Sequence, residues 1–511
     1  MTGLDRWIGH WAEHRPDHPA IVFDGDVVTY AELLGRVGRL AVRLAGHGVV
    51  AGDRVAFCGL NRPELIEALA ACARLGAVLV PLNNRLTAGE LGYQLGDAEP
   101  RLALVTDGFG DLVGSAAAGR VPIVDLDGEP LDGESIDGGP AVDRAVPVEP
   151  AVPVGPGDHP TLMVYTSGTT GRPKGAVHTT GSLLHTVLNG VAHQDLTGDD
   201  TILTLLPLFH VGGLNIQTLP ALYVGATVVL QRRFDPGETL QLIDRHRPTQ
   251  TLLVPAVMTA LLDHPDLDRT DLQCLRGINS GSSVVPDHLI RGFLDRGVPV
   301  GQVYGSTETG PTAVVLRYDD GAANIGSCGR PALHTEVRLV DRDGIDVGDG
   351  EAGELLVRGP NLFDHYHGRP DDTAAAFSAG WYHTGDIARR DDGGWIHIED
   401  RLGDVLISGG ENVYPAEVEN TLAEHPDIAA VAVVGRPDAR WGEVPVAVIE
   451  AADGAGPAVD ELRAWCRDRL ARFKQPREVV VVDELPRTAL GKVTKHVLRA
   501  QLAGHTGDGV D

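Results

Sequence analysis

At 511 residues the chain is too long for one ordinary hydrophobic core, so two or more domains are expected. Its formal net charge of -28 is spread along the chain in short Asp/Glu pairs, which argues against nucleic acid or an anionic membrane as partner and requires a local positive site for any small anion. Five scattered cysteines (Cys58, Cys72, Cys274, Cys328, Cys466) without a C-x-x-C pair point away from a disulfide framework or zinc site and toward a reducing cytoplasm, in keeping with an N-terminus that lacks a signal-peptide pattern.

In chain order, "TYAELLGRVGRLAVRLAGHG" opens on a Thr29-x-x-Glu32 capping box and stops at Gly48, predicting a helix. "RVAFCGL" reads as a strand, "RPELIEALAACARLG" as a helix, "AVLVPL" as a strand and "TAGELGYQLGDA" as a helix capped by Thr87 and Glu90. Such alternation implies an α/β fold with mainly parallel sheets flanked by helices. Between Asp125 and Pro160 the composition shifts to Pro, Gly, Asp, Glu and Val, marking a surface linker between subdomains. The charge-free run from Thr201 to Leu230 is long enough for a membrane span, but prolines, glycines, His210, Asn215 and Gln217 interrupt it, so it is expected to be core and pocket lining. "EVRLVDRDG" and "GELLVRG" read as antiparallel strands. The last hundred residues have their own strands ("AAVAVVG", "VPVAVIE", "EVVVVDEL") and helices ("AEVENTLAEHP", "VDELRAWCRDRLARF"), and "GHTGDGVD" reads as a disordered tail. Two domains are therefore expected: 1–402, large and built of several subdomains, and 403–511, a small α+β domain.

The stretch "YTSGTTGRPKGA" follows an apolar run and combines glycines, hydroxyl residues and one lysine. Main-chain N–H groups and hydroxyls of such a loop can converge on phosphate oxygens, with Lys174 as a mobile positive charge. It is not a Walker A loop, because Lys174 is followed by Gly175 and no G-x-x-x-x-G-K-[ST] is present.

With "LPLFHVGG", "VYGSTETG", "GWYHTGDIARRDDGGWIHIEDR", "ISGGENVYPAEVE" and "PRTALGKVTK" following in order, the chain resembles the adenylate-forming superfamily of acyl-CoA synthetases, adenylation domains and luciferases over nearly its whole length. The resemblance implies an AMP-forming acid–CoA ligase that uses ATP, Mg²⁺ and coenzyme A and passes through an acyl-adenylate. It implies a loop of Thr166, Ser167, Gly168, Thr169, Thr170, Gly171 and Lys174 for the β- and γ-phosphates. Thr307 would donate to the α-phosphate, and Glu308 would be the Mg²⁺ ligand. Tyr304 would offer a face to adenine, backed by the small residues of "NSGSS", while Asp386 and Arg401 would meet the ribose. Lys492 would bridge the acid carboxylate and the α-phosphate in the transition state, with Lys495 one turn on and solvated. In such ligases the small domain rotates after adenylation, carrying Gly409 and Gly410 to the pantetheine tunnel. His210 would flank the acyl pocket. The relatives place Lys or Asp at the hinge where this chain has Gly403, which bends freely but offers no latching side chain.

The segments expected around the acid ("HVGGLNIQ", "VPAVM", "NSGSS", "YGSTETGPTAVV") contain no Arg or Lys, which favours a monocarboxylic acid with an uncharged tail. Two related readings keep the adenylation chemistry: delivery of the acyl group to an acyl carrier protein, and activation of a non-carboxylate oxyanion such as nitrite. A non-catalytic nucleotide sensor would be expected to have lost Lys492 or Glu308, and both are present.

Overall fold

The computed structural model describes residues 3–128, 159–167, 172–281, 285, 287–341, 343–401, 406–413, 415–452, 456–486, 493 and 495–504. Most of the expected linker, residues 168–171 of the phosphate loop, Gly403, Lys492 and the tail after 504 lie outside the described residues, and Ser167 and Arg401 are described only as strand backbone. The chain divides into two compact units: one of Met1–Asn84, Gln94–Tyr165 and Gly175–Asp400, the other of Arg85–Tyr93, Thr166–Lys174 and Arg401–Asp511.

In the first unit, strands Pro19–Phe23, Thr227–Leu230, Thr201–Thr204, Gln250–Leu253, Gly277–Ser280 and Val300–Tyr304 lie side by side and parallel at the centre of a nine-stranded sheet whose edges are antiparallel. Successive side chains leave a strand on opposite faces. Accordingly Ile202, Val228 and Leu230 enter one core, and Leu203 and Val229 enter another. Both faces are buried, as parallel sheets require. A seven-stranded sheet carries Arg54–Cys58, Val78–Pro81 and Leu102–Val105 in parallel. A smaller antiparallel sheet pairs Glu336–Val340 with Ala352–Arg358 and that strand with Trp381–Arg390.

The Thr29 cap forms as the sequence predicts: Glu32 N–H donates to Thr29 Oγ1 at 3.2 Å and Thr29 N–H to Glu32 Oε2 at 2.8 Å, starting helix Tyr30–Gly46. The apolar run from Thr201 to Leu230 folds into two core strands around a broken helix, with a π-helical turn at Leu214–Thr218. No helix among the described residues is long and apolar enough to cross a membrane.

In the second unit, strands Ile428–Asp438 and Gly442–Ala451 form a long antiparallel pair, joined in parallel by Glu478–Val481. Val433, Ala447 and Ile449 face one core, whereas Ala432, Val434, Val446 and Val448 face the other. The helix expected over 459–473 stops at Cys466, and Arg469 and Leu470 N–H both turn back to the Cys466 carbonyl, at 3.0 and 2.8 Å. Lys495 departs from expectation: its ammonium is 2.7 Å from Glu419 and largely shielded from solvent, not solvated.

Candidate active site

Strand Val300–Tyr304 runs two residues beyond the carboxyl end of its parallel neighbour Gly277–Ser280, and the chain then turns sharply through residues 305–310. Ligands of open α/β sheets gather at the carboxyl ends of strands. The turn is self-capped: Ser306 N–H donates to Thr309 Oγ1 at 2.7 Å and Thr309 N–H to Ser306 Oγ at 3.3 Å. Gly310 closes it at φ 56°, and a Cβ there would lie 2.3 Å from Thr186 Oγ1 and 2.6 Å from the Asn361 carbonyl. This close approach admits only glycine.

Tyr304 and Asp386, expected to meet adenine and ribose, are brought into direct contact, the phenol donating to Asp386 Oδ2 at 2.6 Å. Burial, then the Asp386 charge, push the Tyr304 phenol well above its ordinary range, so it is a donor at any working pH. Asp386 is itself placed by a bulge-like step: its N–H donates to Thr384 Oγ1 at 3.0 Å, and Thr384 donates to the Leu355 carbonyl at 2.6 Å.

Thr307 is half-buried and Glu308 is 8% exposed. Tyr366 donates to Glu308 Oε1 at 2.9 Å. His178, fully buried, packs against the Thr307 main chain; burial pushes its imidazole down to about 4, and the Thr307 contact works in the opposite direction. The ring is therefore neutral at pH 7.

His210 is half-buried at the start of the helical turn Val211–Gly213, its carbonyl accepting from Leu214 N–H at 3.1 Å and its ring 4.7 Å from that of Phe209. The π-helical turn that follows buries the Asn215 carboxamide completely, and neither its oxygen nor its nitrogen has a hydrogen-bond partner among the described residues. π-Helical turns recur at functional sites. The side chain of Asn279, in the "NSGSS" stretch, turns away into a polar network, accepting from His193 Nε2 at 2.9 Å and donating to Tyr318 at 2.6 Å.

Thr166, Lys174, Gly409 and Gly410 belong to the second unit. There Thr166 Oγ1 donates to the Lys174 carbonyl at 3.5 Å, closing the base of the phosphate loop, and Lys174 is buried. Gly409 and Gly410 take left-handed φ of 61° and 81°, and a Cβ on Gly409 would lie 2.9 Å from the Trp441 ring. Glu411, next in the chain, pairs with Arg85. Lys474 is buried between Glu90 (2.9 Å) and Glu417 (2.8 Å).

Tyr366, Asn361, His178 and Lys474 escape sequence reasoning. Each is a single polar or aromatic residue in an otherwise ordinary stretch, and only the fold supplies its partner.

A hydroxyl-rich loop with a lysine in the sequence and, in the first unit, two shielded carboxylates each held by a phenol, Asp386 by Tyr304 and Glu308 by Tyr366, are features that suit a nucleotide-activating enzyme. The chain belongs to the AMP-binding enzyme family, whose model matches residues 8–367; the AMP-binding enzyme C-terminal domain matches residues 417–492. It is 45% identical to an indoleacetate–CoA ligase of Aromatoleum aromaticum, over 98% of this chain and 99% of that one. It is 43% identical to a feruloyl-CoA synthase of an Amycolatopsis species, over 97% and 98%. Among solved structures it resembles the Bacillus subtilis o-succinylbenzoate CoA synthetase bound to a product analogue (TM-score 0.86, 33% identity, 97% and 98% covered). It also resembles that enzyme in complex with ATP and magnesium ion (TM-score 0.71, 34% identity, 97% and 99% covered). The chain is an AMP-forming acid–CoA ligase that converts a monocarboxylic acid, through its acyl-adenylate, to a thioester with ATP, Mg²⁺ and CoA.

Proposed function

We propose that the acid has an aromatic, uncharged tail of the arylacetic or hydroxycinnamic kind. The observation that carries this is the make-up of the expected acyl pocket: Val211, Leu214, Ile216, Val257 and Met258 are buried, no Arg or Lys occurs in those segments, and Asn215 adds one neutral amide able both to donate and to accept. A second carboxylate or an ammonium would be desolvated there without a partner. The names of the indoleacetate and feruloyl ligases support the same reading.

Within this reading Thr166 to Lys174 cradle the β- and γ-phosphates, Thr307 donates to the α-phosphate, Tyr304 lies against adenine, and Asp386 and Arg401 hold the ribose. Glu308 is a hard oxygen donor with one oxygen already occupied by Tyr366, which fits a single-carboxylate Mg²⁺ site. The metal, when bound, would neutralise phosphate charge. Lys492 steadies the attacking carboxylate against the α-phosphate, His210 borders the acid, and Gly409 and Gly410 line the thiol path. Residues 403–511 act as the mobile domain, and the enzyme works in the cytoplasm. Free CoA is the acceptor; a carrier protein is the alternative, supported by 35% identity to a protein named fatty acid–[acyl-carrier-protein] ligase of Streptomyces coeruleorubidus.

The test is a pyrophosphate-release screen over arylacetates, hydroxycinnamates, fatty acids and dicarboxylates. Highest kcat/KM for the first two classes is expected. A preference for dicarboxylates or long-chain fatty acids would overturn the assignment.

A further inference from the structure

Segment Asn361–Tyr366 makes three bonds to two consecutive residues of the Thr307–Gly310 turn. Asn361 Nδ2 donates to the Thr309 carbonyl at 2.6 Å, Phe363 N–H to the Glu308 carbonyl at 2.8 Å, and the Tyr366 hydroxyl to Glu308 Oε1 at 2.9 Å. The same segment, with His367 that follows it, grips the strand that leaves the phosphate loop: Asp364 N–H donates to the Val177 carbonyl and His367 N–H to that of Gly175, each at 2.8 Å, and Tyr366 pairs with Ala176. Its anchors are themselves fixed. Asn361 is fully buried and accepts from Thr335 Oγ1 at 3.2 Å, while Phe363 packs on the rings of Tyr366, Phe377 and Tyr382 with centroids 4.6 to 5.6 Å apart.

We infer that Asn361–Tyr366 is a positioning clamp that joins the strand after the phosphate loop to the Thr307–Glu308 turn, with Tyr366 setting the orientation in which the Glu308 carboxylate meets the metal–nucleotide. It rests on the reading of Glu308 as the metal ligand. A glutamate carboxylate swings about a soft terminal torsion. A phenol that holds Oε1 removes this freedom. Partners of this kind typically change metal affinity by about 10- to 100-fold when lost. Phe at position 366 would keep the ring packing and remove the hydroxyl that meets both Glu308 and Tyr382.

The experiment is an electron paramagnetic resonance titration of Mn²⁺ with an ATP analogue bridged by methylene between the α- and β-phosphorus, on the parent enzyme, Tyr366→Phe, Glu308→Gln and Phe363→Leu. Tyr366→Phe should weaken Mn²⁺–nucleotide binding about tenfold and raise the Mg²⁺ concentration for half-maximal adenylation in parallel, with KM for the acid unchanged. Phe363→Leu, which loosens the ring cluster but keeps the hydroxyl, should lower Tm and leave Mn²⁺ binding at the parent value. Tyr366→His, which retains a ring donor, should recover part of the loss and serves if the Phe variant folds poorly. Parent-like binding by Tyr366→Phe and Tyr366→His alongside weakened Glu308→Gln would overturn the clamp and keep the metal ligand. Parent-like binding by Glu308→Gln would overturn the metal ligand itself. Equal weakening by Phe363→Leu would reduce Tyr366 to packing.

Discussion

The Tyr304 hydroxyl donates to Oδ2 of Asp386 across 82 positions of sequence, at 2.6 Å. Two residues proposed to meet different parts of one nucleoside thus act as a unit, the phenol fixing the carboxylate. A hydrogen bond to a charged group contributes about 1.5–3 kcal/mol. Tyr304→Phe should therefore raise KM for ATP about tenfold or more, with a smaller change in kcat. Pyrophosphate-release kinetics at varied ATP check this, and an unchanged KM would detach the phenol from nucleotide binding.

Gly310→Ala should be severe for its size. The left-handed φ alone costs about 1–2 kcal/mol for a residue with a Cβ, and the Cβ would meet the Asn361 carbonyl at 2.6 Å. Because the turn carries Thr307 and Glu308, adenylation should fall more than Tm does. Single-turnover pyrophosphate release and thermal denaturation, measured on one preparation, separate the two effects.

Much of this architecture is legible in the amino-acid sequence. The Thr29 and Thr87 capping boxes announce their helices because the cap bonds are local, and both form. The strand alternation is legible because each strand buries its own apolar residues. What is not legible is long-range pairing of single residues. Tyr366 in "NLFDHYHG" carries no periodicity, and its role depends on a partner 58 positions away. Lys495 looks like a solvated helix lysine until Glu419 is placed beside it. The helix predicted to run to residue 473 has an apolar pattern that continues beyond Cys466, but Leu470 and Ala471 reach the interior from turns.

Glu67 is fully buried in helix Pro63–Leu75 with Arg36 at 3.6 Å, and neither carboxylate oxygen has a hydrogen-bond partner among the described residues. Burial, then the Glu64 charge, push its carboxyl up to about 7, against the pull of Arg36 and Arg39. The folded state then binds the proton more tightly than the unfolded chain, so the contribution is full below about 4.5 and is lost as pH rises through about 7. Glu67→Gln should raise stability relative to the parent at pH 8, and the gain should shrink toward pH 5. Urea denaturation at the two pH values measures the difference, and a pH-independent gain would contradict the titration.

Lys474 is buried with both Glu90 and Glu417 on its ammonium. Burial alone would depress the ammonium, yet the two carboxylates outweigh it and hold it charged above its ordinary range. Replacing one partner of a buried ionic cluster costs about 3–5 kcal/mol, because the charges left behind have lost their counter-ion. Lys474→Met should therefore destabilise the second unit by roughly this amount. Hydrogen exchange localised to strands Ile428–Asp438 and Gly442–Ala451 would report it, and parent-like protection there would show that the triad contributes little.

The central claim is that this chain joins an acid to CoA through an adenylate. The most direct measurement is a mass-balanced assay of the purified enzyme with indole-3-acetate or ferulate, ATP, Mg²⁺ and CoA. Equal amounts of acyl-CoA, AMP and pyrophosphate are predicted, with an acyl-adenylate accumulating when CoA is left out. Release of ADP and phosphate, or an adenylate that CoA does not discharge, would contradict the account.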